Sequence, residues 1–170
     1  GWECGDTAPT VCNPGETITI TGDTMLTANW AKLITLSFDA NGGTGAPESI
    51  TFAVGEDRTV ETDIDQLTRV GHTFAGWNTS AAGDGTMYEG VFTTTGFTDN
   101  TTLYAQWTPN TYTITFNANG GSGAPAQQSW VYADSGTIAL SSTKPTRTGY
   151  TFQGWAASAA ATSAAYQPGQ

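Results

Sequence analysis

Apolar and polar residues alternate along much of this chain with the period of two that a half-buried strand requires. Residues 17–20 read Thr-Ile-Thr-Ile, and within 25–30 the side chains of Leu26, Ala28 and Trp30 fall on one face. Ile34, Leu36 and Phe38 alternate with Thr35 and Ser37, and Leu103, Ala105 and Trp107 alternate with Tyr104 and Gln106. Residues 49–54 and 72–77 complete the expected strands. Asn41-Gly42-Gly43 marks a sharp turn or bulge, since glycine takes a positive φ at no steric cost. One stretch departs from period two. Val60, Ile64 and Leu67 have helical spacing, and Thr62 with Asp65 makes a weak capping pair, so a short helix is expected over 62–67.

The pattern repeats. Asn41 and Asn119 stand 78 positions apart, as do Trp77 and Trp155; Trp30 precedes Trp107 by 77 and Trp2 precedes Trp77 by 75. A fixed period means one folding unit used more than once. Residues 32–108 make a complete copy, 1–31 the closing part of another, and 109–170 the opening part of a third without its last strands. Gly1-Trp2 falls inside a copy, so the chain is expected to be a fragment or a processed piece. A unit of this size holds one small core, which aromatic rings must largely supply. The expected core residues are Phe38, Phe74, Trp77, Leu103 and Trp107, with Phe116, Phe152 and Trp155 in the third copy and Leu26 and Trp30 in the first.

Four stretches carry a family likeness: Phe-Asp-Ala-Asn-Gly-Gly at 38–43, Arg-Val-Gly-His-Thr-Phe-Ala-Gly-Trp at 69–77, Arg-Thr-Gly-Tyr-Thr-Phe-Gln-Gly-Trp at 147–155 and Thr-Leu-Tyr-Ala-Gln-Trp at 102–107. Together they resemble the Listeria–Bacteroides repeat, the internalin B-repeat type. The resemblance implies a small α+β unit, strand-dominated, with a β-grasp-like sheet, strung as beads in a row. It also implies an extracellular setting, on a bacterial cell surface or secreted. No catalytic residues come with it.

Charge adds exclusions. Fifteen acidic residues against five basic ones leave a net charge of −10 with no basic stripe, so neither nucleic acid nor an anionic membrane suits this chain as a partner. No apolar run approaches the ~20 residues of a membrane helix. Cys4 and Cys12 share one loop, and an even pair in an exported, strand-rich chain reads as a local disulfide. Carboxylates are plentiful but do not recur between copies, and no nucleophile, base and orienting group recur together. The reading is therefore non-enzymatic, with no cofactor and no metal.

The favoured function is a stalk, spacer or fibre segment whose partners are further copies of the same repeat. The alternative is an adhesin module that binds a glycan or protein on another cell through its loops. Head-to-tail assembly by strand exchange is a further expectation. Ile18, Ile20, Leu26 and Trp30 of one molecule would complete the sheet that the third copy of another leaves open.

Overall fold

A computed structural model describes residues 2–4, 10–12, 14–20, 22–61, 64–132 and 136–170, the first two ranges by backbone alone. Its strands are β1 (Trp2–Cys4), β2 (Thr10–Cys12), β3 (Leu33–Asp39), β4 (Ile50–Ala53), β5 (Thr59–Val60), β6 (His72–Asn78), β7 (Met87–Tyr88), β8 (Phe92–Thr93), β9 (Thr101–Pro109), β10 (Thr111–Ile114) and β11 (Gln128–Val131). The main sheet has the order β4-β3-β9-β6-β7. The strand that closes the repeat in sequence is therefore its middle strand in space. It runs parallel to β3, with Phe38 opposite Leu103, and antiparallel to β6, with Trp77 opposite Ala105. The short pair β5–β8 lies apart from this sheet.

Alternation decides which face is buried. Ile34 and Leu36 from β3, Leu103 and Ala105 from β9 and Trp77 from β6 pack with Phe52, Leu67 and Phe97 into one core, with Phe38, Phe74 and Trp107 partly buried against it. Phe74 and Trp77 are three positions apart and would point to opposite faces of a regular strand. A register shift between Phe74 and Gly76 returns them to one side, and their ring centroids lie 5.2 Å apart. Gly76 permits the bulge: its φ is +140°, and a Cβ there would lie 2.6 Å from Met87 Cε and 2.9 Å from the Tyr88 carbonyl oxygen.

Two expectations need correction. No helix occurs among the described residues, and so none long and apolar enough to cross a membrane; the α+β class gives way to an all-strand architecture with a mixed sheet. Thr62 and Asp63 lie outside the described residues. After them the chain makes one turn, closed by the Leu67 N–H on the Ile64 carbonyl at 3.0 Å. Thr68 is then drawn into extended pairing with Thr44, leaving too few residues to repay helix nucleation.

The first copy also differs from expectation. No strand spans 17–20 or 25–30. Leu26 is 41% exposed and Trp30 88% exposed, so neither is a core residue in this chain. The reason is physical: of this stripe only Ala28 makes a bridge, an isolated one, and pairing at a single position is too little to hold a strand in water.

Candidate functional site

Two features that carry no chemistry stand out: the joint between the complete repeat and the next, and the groove that the latter leaves open.

The joint is short and bonded on both sides. Pro109, the last residue of β9, pairs with His72, and the Asn110 N–H donates to the Gly71 carbonyl at 2.8 Å. Tyr132 N–H donates to the Asn110 carbonyl at 2.8 Å, and Thr73 Oγ1 donates to Asn110 Oδ1 at 2.6 Å. The Tyr132 ring then lies over Gly71, where a Cβ would sit 2.3 Å from its Cγ, and meets the His72 ring edge-on at 5.5 Å. Gly71 has a φ of +70°, so both its backbone and its lack of a side chain are used. Trp130 packs against Tyr132 at 5.4 Å. Sequence reasoning missed this brace. The signal was there: Tyr132 replaces the Val54 of the preceding copy, 78 positions earlier.

At the start of the complete repeat, Lys32 pairs with Asp99 and donates to the Thr98 carbonyl at 3.1 Å. The hydrogen bond and charge of Lys32 hold the Asp99 carboxyl below its ordinary 3.8. Both partners are largely solvent-exposed, so the pair adds little stability.

In the complete repeat the closing strand is held by an indole seat. Trp107 Nε1 donates to the Ala40 carbonyl at 2.9 Å, and its ring lies where a Cβ on Gly43 would come within 2.6 Å. Asn41, with φ +47°, donates from Nδ2 to the carbonyls of Ala105 and Ala81, both at 2.9 Å. The loop after β6 is pinned from inside by Asn78, which is 2% exposed. Its Oδ1 accepts from Ser80 N–H and Gly85 N–H, and its Nδ2 reaches the carbonyls of Gly83 and Gly85.

The next repeat reproduces the frame without the closing strand. The β10–β11 pairing has the register of β3–β4 moved by 78 positions, and Asn119 has the φ of Asn41, +47°. Phe116 and Phe152 pack on Trp155 with centroid distances of 4.9 and 5.0 Å. Among the described residues no strand lies between 114–117 and 150–155. A groove of about 540 Å³ runs there, lined by Thr115, Asn117, Asn119, Phe152, Gly154 and Trp155. Phe116, Phe152 and Trp155 are half-buried, and Trp155 Nε1 is a buried donor without a hydrogen-bond partner.

The strand-exchange candidates are displayed on the outside: Ile20 is 64% exposed, Leu26 and Trp30 are exposed, and Ile18 is half-buried. The side chains of Cys4 and Cys12 lie outside the described residues. The backbone register sets Cys4 opposite Thr10 and Cys12 opposite Trp2. Among the described residues no three His, Cys, Asp or Glu side chains converge on a common point.

Comparison with known proteins completes the description. The family model of the Listeria-Bacteroides repeat domain matches residues 35–106 and 112–170. A protein of Evansella cellulosilytica described as a Gly-rich membrane protein is 36% identical over 135 residues, covering 78% of this chain and 15% of that protein. A second membrane protein of the same organism is 34% identical over 147 residues, covering 82% of this chain and 20% of its own length. Internalin H of Listeria monocytogenes is 37% identical over 89 residues, covering 52% of this chain and 15% of the internalin. The chain thus spans a fifth or less of each of these relatives. No solved structure matches it significantly.

Proposed function

This chain belongs to the Listeria-Bacteroides repeat family, and on that premise we propose that it is a spacer within a bacterial surface protein, its repeats set as beads in a row. The observation that carries the reading is the brace at Asn110. Bonds from Gly71, Thr73 and Tyr132 converge on a single linking residue, and the Tyr132 ring fills the place a side chain at 71 would need. A joint with no free linker residue transmits direction from one bead to the next, which a stalk requires and a flexible tether does not. The membrane-protein descriptions of two relatives and the internalin fit an extracellular, cell-attached setting.

A loop-borne ligand site is the competing reading. What speaks against it is that the loop after β6 turns its polar groups inward onto Asn78, and that the matching loop of the next repeat has Ala156 there. The spacer reading assigns no catalysis.

The test is amide relaxation of the intact chain. Residues 33–109 and 111–170 should share one anisotropic tumbling time. Tyr132→Ala should split it into two while leaving the amide shifts of β3, β6 and β9 in place. Independent tumbling in the unmodified chain would sink the spacer reading, as would saturable and selective binding to a glycan array.

A further inference from the structure

We propose that the groove of the last repeat is a receptor for a single β-strand ending in tryptophan, and that in this 170-residue chain its occupant is residues 24–31 of a second copy. The proposal goes beyond the spacer reading and does not depend on it.

Its receptor half is a set of groups placed as in the complete repeat but lacking the partner they have there. Asn119 repeats Asn41 in φ, and its Nδ2 faces the Ala159 carbonyl at 3.4 Å as that of Asn41 faces Ala81. Asn41 has a second acceptor, the carbonyl of Ala105 on the closing strand. Gly121 repeats Gly43. A Cβ on Gly43 would strike the Trp107 indole, whereas the nearest atoms to one on Gly121 belong to Thr146, Ala118 and Arg147. The indole seat is built, and no indole sits in it.

The donor half is on the same chain. Thr24-Met-Leu-Thr-Ala-Asn-Trp-Ala31 carries Leu26, Ala28 and Trp30 at the spacing of Leu103, Ala105 and Trp107. Trp30 is 88% exposed, a costly state for an indole that burial would relieve. Moving the observed register by one repeat sets Leu26 beside Phe116, Ala28 beside Trp155 and Trp30 beside Phe152. Trp30 Nε1 then reaches the Ala118 carbonyl as Trp107 Nε1 reaches Ala40, and Asn119 Nδ2 gains the Ala28 carbonyl.

The two halves cannot meet within one molecule. Parallel pairing of β3 and β9 puts Leu33 and Pro109 at opposite ends of the sheet, ~30 Å apart at the strand rise. The three residues from Trp30 to Leu33 reach ~10 Å. The contact is therefore between copies, joins unlike surfaces and does not close on itself, so it builds linear head-to-tail chains. In a longer polypeptide the same groove would take that polypeptide's own next strand.

Sedimentation of the 170-residue chain tests the proposal. The unmodified chain should associate reversibly with concentration, and more at high salt, because each copy carries a net charge of −10 that salt screens. Trp30→Ala spoils the strand and Thr115→Pro removes an edge N–H from the groove. Thr115 lies outside the β10–β11 ladder, so that repeat keeps its pairing. Each variant alone should associate at least tenfold more weakly. A mixture of the two should stop at a one-to-one dimer, since only one intact groove and one intact strand remain, and this would also show that both variants fold. An unmodified chain that stays monomeric at every concentration overturns the proposal. So does association that survives in both single variants, or a mixture that forms no dimer.

Discussion

The complete repeat and the one after it share their local geometry almost feature for feature, yet they bury their rings differently. Both have the same strand register, the same left-handed Asn and a positive-φ glycine before the tryptophan: +140° at Gly76, +130° at Gly154. The ring pairs match too, 5.2 Å for Phe74–Trp77 and 5.0 Å for Phe152–Trp155. Even so, Trp77 is 1% exposed, while Trp155 is only half-buried and keeps an unpaired buried N–H. Residues 72–78 form a full strand, whereas 150–155 hold only isolated bridges. The difference is β9. Local geometry is written into each half of the repeat, and the closing strand converts it into a core.

If that is right, the largest contrast will come from the two tryptophans. Trp77→Ala should cost the complete repeat about 3–5 kcal/mol in denaturant unfolding, the usual range for a buried tryptophan. Trp155→Ala should cost clearly less, because its side chain is already half in water. Equal costs would mean that β9 is not what distinguishes the two.

A smaller effect separates the loops. Asn78→Ala strands the N–H groups of Ser80 and Gly85 and should cost about 1–3 kcal/mol, with faster amide exchange at both. The next repeat has Ala156 and Ser163 at these places. Gly85 has no room for a side chain, since a Cβ would lie 2.7 Å from Asn78 Oδ1 and 2.3 Å from Thr79 Oγ1. Ala156→Asn should therefore gain nothing alone and slow exchange only together with Ser163→Gly, a coupling that a double-mutant cycle reads directly.

The smallest effect lies at Asp99. Its pKa is depressed by Lys32, so the contribution of this pair is full above the unfolded value and is lost as pH falls through the folded one. Carboxyl titration by NMR should show Asp99 moving up towards 3.8 in Lys32→Met, and also at high salt, because the pair is exposed. An unmoved Asp99 would mean that Lys32 is not the cause.

Part of the fold was legible in the sequence. Alternation in 34–38 put Ile34 and Leu36 on one face and alternation in 103–107 put Leu103 and Ala105 on another, and all four are buried; Asn41-Gly42-Gly43 announced its turn. The helix at 62–67 was misread because three apolar residues at helical spacing do not repay nucleation when the chain is pulled straight at Thr68. The bulge at Ala75 and the brace on Gly71 were signalled only by glycines whose neighbours were unknown.

What the chain determines residue by residue is what depends on near neighbours: which positions can turn, which side of a strand is apolar, and that the unit recurs. Which strand lies in the middle of the sheet depends on pairing with both β3, 65 residues away, and β6, and no local pattern marks β9 as central. Placing it there buries Trp77 and seats Trp107. Tertiary structure alone decided both, because burial belongs to the pair of surfaces that meet.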